Sequence, residues 1–231
     1  MKYVIIGKGK LGGQVIRCLP QENILAICDQ SNPPTVDLLK KAQTTLVCVP
    51  DHQFEAILPI LIESQTPAII ATTGYEWSEK LQSLVYTKNL RWIVGSNFSL
   101  GMNLAFFFAQ ELGQLMRSMP EAFSGSQLSI HEIHHVHKKD SPSGTALSLK
   151  KACDMREIPI TADREGEVIG IHHLKLQLPH ELLTISHEAQ DRGIFAKGAI
   201  WAAQTLLPKV NPGLHFFEKL LQDHFQESLN Q

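Results

Sequence analysis

Two stretches of this chain concentrate side chains that can do chemistry. One is Glu132-Ile133-His134-His135-Val136-His137-Lys138-Lys139-Asp140-Ser141-Pro142-Ser143-Gly144-Thr145-Ala146, where histidines and cations crowd a strand end just before a helix starts. Pro142 opposes helix on its N-terminal side and Ser143 is a capping residue, so the N–H groups of Gly144 and Thr145 face outward at the positive end of a helix dipole. Donors placed there hold a carboxylate or a phosphate, each charge-assisted hydrogen bond contributing on the order of 1.5–3 kcal/mol. Lys138 adds an ammonium that pairs with an anion and can release a proton. The histidines also invite a metal reading, with His131, His172 and His173 as further candidates. Strand alternation sets His134 on the face opposite His135 and His137, and neither a cysteine nor a carboxylate triad completes a tetrahedron, so no metal is expected. If the strand extends that far, the same alternation groups His134 with Lys138.

The other stretch is Gly7-Lys8-Gly9-Lys10-Leu11-Gly12, which follows the apolar run Tyr3-Val4-Ile5-Ile6 and opens a helix. Glycines allow the tight turn and let backbone approach a pyrophosphate, which the helix N-terminus then binds through unpaired N–H groups. Asp29 ends the second apolar run, where an acidic side chain suits ribose hydroxyls and repels a 2′-phosphate. No arginine follows in Asp29-Gln30-Ser31, so NADH is favoured over NADPH, with Lys8, Lys10 and Arg17 the cations available to a 2′-phosphate.

The elements that must position these groups fall into two textures. Through about residue 95, β-branched runs at Tyr3 to Ile6, Ile24 to Cys28, Thr45 to Val49, Ala68 to Ala71 and Arg91 to Val94 alternate with helical patterns at Leu11 to Leu19 and Phe54 to Glu63. Apolar strands separated by helices imply a parallel sheet covered on both faces. Beyond Asn97, a long helix at Met102 to Met116 precedes alternating strands at Gln127 to His135, Glu167 to Leu176 and Leu182 to Glu188, with a helix at Thr145 to Cys153. Period-2 alternation there predicts a mainly antiparallel sheet with one open face. From Ala196 the chain is helical again, through Trp201 to Leu206 and Phe216 to Phe225. The expected fold is α/β: a Rossmann-type dinucleotide-binding domain, 1–102 with 196–231, and an inserted α+β substrate domain, 103–195.

The 231 residues carry 21 Lys+Arg against 23 Asp+Glu, a formal charge of −2, with 43% hydrophobic residues, which fits a packed globular chain and offers nucleic acid no electrostatic footing. Cys18, Cys28, Cys48 and Cys153 form no CxxC pair, and no window approaches the ~18 apolar residues of a membrane span. The N-terminal apolar run is too short for a signal peptide. A reduced cytoplasmic protein is the expectation, with no membrane partner.

The residues from Glu132 onward resemble one family closely, the 4-hydroxy-tetrahydrodipicolinate reductases (dihydrodipicolinate reductases) of diaminopimelate and lysine synthesis. The family pattern E-x-H-H-x-x-K-x-D-x-P-S-G-T-A is met at Glu132, His134, His135, Lys138, Asp140, Pro142, Ser143, Gly144, Thr145 and Ala146. Ala71-Thr72-Thr73-Gly74, Ser96-Asn97-Phe98-Ser99 and Arg192 to Ala199 are similar as well. The resemblance implies that Lys138 donates the proton and His134 assists. It implies that His135, Ser143, Gly144, Thr145 and Thr73 hold the carboxylates of a cyclic dicarboxylate substrate. For the cofactor it implies Gly7, Lys8, Gly9, Lys10, Leu11, Gly12 and Asp29 on the adenosine half, with Thr72, Gly74, Asn97, Phe98 and Phe195 towards the nicotinamide. A homotetramer built through the second-domain sheet is also implied, although the stretch between Leu174 and Leu182 is shorter than is usual in the family. The rival enzyme reading is another Rossmann-type amino-acid dehydrogenase, such as aspartate or homoserine dehydrogenase, and a third is a non-catalytic NAD-binding protein. The Lys138 and Pro-Ser-Gly-Thr constellation speaks against both.

Overall fold

The structure, a computed structural model, describes residues 1–229. The chain divides into two compact units, Met1–Ser99 with Arg192 onward, and Leu100–Asp191. The crossings fall at 99/100 and 191/192 rather than at 102/103 and 195/196, because each coincides with a helix start that belongs whole to the following unit.

In the first unit, β1 (Tyr3–Ile6), β2 (Ile24–Cys28), β3 (Thr44–Val47), β4 (Ala68–Ile70), β5 (Arg91–Val94) and β10 (Gly213–Phe216) form one parallel sheet in the order β10-β5-β4-β3-β1-β2. Alternate residues feed two cores. Tyr3 and Ile5 join Val15, Ala196, Ala199 and Phe217 on one face, from helices α1 (Lys10–Cys18), α7 (Gly193–Trp201) and α8 (Phe217–Leu229). Val4 and Ile6 pack on the other face against Leu39, Phe54, Leu61, Leu81 and Val85 of α2 (Val36–Lys40), α3 (Asp51–Ser64) and α4 (Glu79–Thr87). Burial on both faces is why the inner strands β1, β4 and β5 read as apolar runs. Strand β10 and helix α2 were not expected. β10 is four residues that run straight into α8, and α2 is barely more than one turn.

The second unit holds α5 (Leu100–Ser118), β6 (Gln127–His134), α6 (Gly144–Cys153), β7 (Ile160–Arg164), β8 (Ile171–Gln177) and β9 (Leu182–Glu188), with sheet order β7-β6-β8-β9. Pairs β6–β8 and β8–β9 are antiparallel, but β7 joins β6 parallel, so the sheet is mixed rather than simply antiparallel. β7 escaped the sequence reading because only Ile160 and Ala162 mark its apolar side. Residues 167–170, expected to open β8, are loop. One sheet face buries Leu128, Ile130, Leu174 and Leu176 against Met102, Phe106, Ala146 and Leu149 of α5 and α6. The shortened stretch between β8 and β9 is a tight hairpin, its Leu178 N–H donating to Glu181 O at 2.9 Å. No helix among the described residues is long and apolar enough to cross a membrane.

Candidate active site

The buried face of the second sheet turns polar at one end. Glu132 and His134 continue the row of Leu128 and Ile130 at period two, and antiparallel pairing sets His172 directly opposite Glu132. Glu132 is fully buried (0% exposed) and accepts from the Ser143 backbone N–H at 2.9 Å and from the Ser143 hydroxyl. His172 Nε2 lies 3.6 Å and His134 Nδ1 3.7 Å from Glu132 Oε2, just beyond hydrogen-bond reach. Burial, ahead of the positive charge of neighbouring groups, pushes His172 down to about 3. His134 is lowered as well, by burial first and against the pull of Glu132, so both imidazoles are neutral at pH 7. These three side chains bring donor atoms within 4.8 Å of one another, a spacing a metal ion could bridge. Both Glu132 oxygens are already taken by Ser143, however, and the Arg164 guanidinium stands 3.8 Å from Oε1, so a cation would have to displace one set and overcome the other.

Strand β6 stops at His134, and a turn at Val136-His137 carries the chain to Lys138, whose N–H donates to His135 O at 3.1 Å. Lys138 therefore comes to His134 by a turn rather than by strand alternation. Its ammonium (side chain 21% exposed) pairs with Asp140 Oδ1 at 2.8 Å. That contact, followed by lesser help from the Gly144 N–H, holds the Asp140 carboxyl below the ordinary range. Helix α6 begins at Gly144, capped by Ser143, whose Oγ accepts from Ala146 N at 3.1 Å while donating to Glu132. The Ser143 hydroxyl is thus spent inside the fold, and the outward donors at this helix end are the N–H groups of Gly144 and Thr145. His135 is half-buried, with its ring 6.3 Å from that of His137.

Residues Gly7 to Gly12 in the first unit make the expected strand-to-helix turn. Gly7 has φ +98°, and a Cβ there would meet Cys48 O at 2.4 Å; a Cβ on Gly12 would meet Gly7 O at 1.9 Å. Beside this turn, where β1 and β3 send their connections in opposite directions, a cavity of about 740 Å³ is lined by Gly7, Gly9, Asp29, Val49 and Gln53 among others. Ligands of open α/β sheets bind at such a switch point. Asp29 Oδ1 accepts from Ser31 N (2.8 Å), Ser31 Oγ (2.7 Å) and Asn32 N (2.9 Å), and Oδ2 pairs with Lys8. Lys8 first, then Ser31 and Asn32, hold the Asp29 carboxyl well below the carboxylate range.

A smaller hollow of about 120 Å³ gathers Lys10, Leu11, Thr73, Phe98, Arg192 and Phe195. Thr73, assigned to the substrate from the sequence, thus stands with residues assigned to the cofactor. Thr72 is buried and donates to Val49 O at 2.9 Å, Gly74 adopts φ +81°, Asn97 Oδ1 accepts from Ser99 N at 2.9 Å, and the Phe98 ring packs 4.6 Å from Phe217. The sequence reading assigned no role to Glu132, Asp140 or Arg164, and weighed His172 only in the metal reading that it set aside. Glu132 and Asp140 were quoted within the motif, and cross-strand register sets His172 and Arg164 beside Glu132 and His134.

The family profile described as dihydrodipicolinate reductase, C-terminus, matches residues 101–221, which contain this cluster. A 4-hydroxy-tetrahydrodipicolinate reductase of Bdellovibrio bacteriovorus is 36% identical over 189 residues, 79% of each chain. Another from Caldanaerobacter subterraneus is 29% identical over 255 aligned residues, 96% of this chain and 98% of the relative. Among solved structures, dipicolinate-bound dihydrodipicolinate reductase from Paenisporosarcina shares the fold with a TM-score of 0.76 at 21% identity, covering 95% and 99% of the two chains. An aspartate dehydrogenase from Thermotoga maritima shares it more distantly, with a TM-score of 0.54 at 11% identity over 92% and 99%. The profile match over the unit that carries Lys138, together with relatives aligned along most of their length, places the chain in the dihydrodipicolinate reductase family.

Proposed function

We propose that this chain reduces 4-hydroxy-tetrahydrodipicolinate to tetrahydrodipicolinate with a nicotinamide cofactor, Lys138 supplying the proton. The observation that carries the site assignment is the Lys138 ammonium held 2.8 Å from the Asp140 carboxylate in the loop that leads into the N-terminus of α6, whose cap Ser143 is followed by Gly144 and Thr145. A substrate carboxylate fits the N–H groups of Gly144 and Thr145 and takes the place of Asp140 on Lys138. Lys138, freed from Asp140, then faces the anionic ring with both charge and a transferable proton. Neutral His134, held beside Glu132, offers a hydrogen bond without adding a second positive charge. Gly144, Thr145 and His135 hold carboxylate oxygens, and Ser143 supports them by fixing the start of the helix.

The Gly7 to Gly12 turn and its cavity fit a dinucleotide, with Gly9 leaving open space where a pyrophosphate must approach. NAD(P)H bound there supplies the hydride. Asp29 is the ribose reader and favours NADH; Lys8, already against it, is the cation that turns to a 2′-phosphate when NADPH binds. The hollow with Thr73, Phe98 and Phe195 takes the nicotinamide half. The open sheet face, with His131, Ile133, His173 and Thr184, supports the homo-oligomer implied by the resemblance. The test is oxidation of NADH and of NADPH by the purified protein, with substrate generated in situ from pyruvate and aspartate semialdehyde by the preceding synthase. Steady consumption that depends on the synthase supports the proposal, and NADH that binds without being consumed overturns it.

A further inference from the structure

We infer that Arg164 is a positioning residue for Lys138: from the end of β7 its guanidinium fastens the loop that carries the proton donor. The inference rests on the role given to Lys138 above. Arg164 lies in register with His134 on the neighbouring strand and so projects towards the same sheet face. Nη2 donates to Asp140 O at 2.6 Å, Nε to Lys138 O at 3.4 Å, and Nη1 to Asp163 O at 2.8 Å. Its side chain is 22% exposed, and Nη1 also stands 3.8 Å from the buried Glu132 carboxyl.

Between His134 and α6 the loop has no ladder of its own. Its backbone is tied to the turn after β7 by Val136 N–H donating to Gly166 O at 3.1 Å, and past that point these Arg164 bonds hold the segment with Lys138 and Asp140. A planar fork of donors in fixed directions can serve two loop carbonyls and lean on a carboxylate at the same time, whereas a lysine ammonium at the end of a flexible stem cannot span them. Glu132 binds the other end of the loop through Ser143. The two residues therefore clamp the segment from both sides, and Arg164 sets the height of Lys138 above the sheet.

The test compares wild type with Arg164→Ala and Arg164→Lys in three readouts: kcat and KM in the coupled reductase assay, rescue by free ethylguanidinium, and hydrogen exchange of peptides 135–143 and 127–134. A misplaced proton donor predicts a kcat about 10- to 100-fold lower in both variants with little change in NADH affinity. Ethylguanidinium restores part of the loss in Arg164→Ala and none in Arg164→Lys. Exchange rises about tenfold in 135–143 and not in strand 127–134. Wild-type kcat in Arg164→Ala overturns the inference, as does faster exchange spread over the whole sheet, which would make Arg164 a stability residue only. If wild type itself shows no turnover, the assignment of function has failed; the exchange pattern still decides whether Arg164 fastens the loop.

Discussion

Lys138→Ala removes the proton donor while disturbing little else. The backbone N–H of Lys138 bonds to His135 O and its carbonyl accepts from Arg164, and neither contact uses the side chain. The ammonium's ion pair is with Asp140, whose side chain is 57% exposed, so water replaces the lost partner and folding stability changes by under about 1 kcal/mol. The reaction loses a general acid, which lowers kcat about 10²–10⁴-fold, or ~3–5 kcal/mol in the barrier. KM for the anionic substrate rises too, because one of its cations is gone. Lys138→Arg separates the two effects: it keeps the charge, so KM stays near wild type, but it cannot release a proton, so kcat still falls. The assay is steady-state NADH oxidation with synthase-generated substrate, alongside NADH affinity by fluorescence titration and thermal unfolding. Near-normal kcat in Lys138→Ala, with binding and unfolding unaltered, would refute the assignment.

The cofactor site makes a paired prediction. Asp29→Ala weakens NADH about 10- to 100-fold, as expected for lost charge-assisted bonds to ribose, and weakens NADPH less; Lys8→Ala reverses that order, and equal losses for both cofactors in titrations would show that the pair only shapes the loop. Gly12→Ala drives a Cβ to 1.9 Å from Gly7 O, so it costs about 1–3 kcal/mol of stability and loosens NADH in the same titration, whereas wild-type values for both would contradict the close approach of turn and helix. The protein also loses stability in acid. The folded pKa of His172, about 3, lies below an unfolded value near 6.5, so the unfolded chain binds the extra proton between them. This contribution is complete above pH ~6.5 and drains away as the pH falls towards 3. His172→Gln should flatten the urea-unfolding profile between pH 7 and 4 by on the order of a few kcal/mol, and an unchanged profile would show that His172 does not titrate on unfolding.

Much of this was legible because local chemistry and tertiary role coincide. The runs Tyr3 to Ile6 and Ile24 to Cys28 are the strands expected; the first is buried on both faces, and the second keeps an apolar run at the sheet edge although Leu25 is exposed. Gly7 and Gly12 stand where only a missing Cβ fits, and Ser143 caps the helix its sequence announces. What stayed hidden depends on register. No local pattern says that His172 will lie opposite Glu132 or that Arg164 will lie beside His134; both follow from pairing strands about 30 to 40 residues apart in sequence. β7 itself has too few apolar residues to announce a strand, and with it went the parallel pairing that makes the sheet mixed. The serine hydroxyl was read as a ligand to substrate because capping and anion binding use the same residue type at the same place. In the structure the hydroxyl caps α6 and donates to the buried Glu132.

Label transfer tests the central claim most directly. The protein is supplied with synthase-generated substrate and NADH deuterated at C4, first on one face and then on the other, and the ring product is examined by mass spectrometry. The account predicts that one of the two cofactors delivers a single deuterium to the ring for each NADH consumed, and that Lys138→Ala nearly abolishes the transfer. NADH oxidised with neither label reaching the ring, or a bound cofactor that is never consumed, would contradict it.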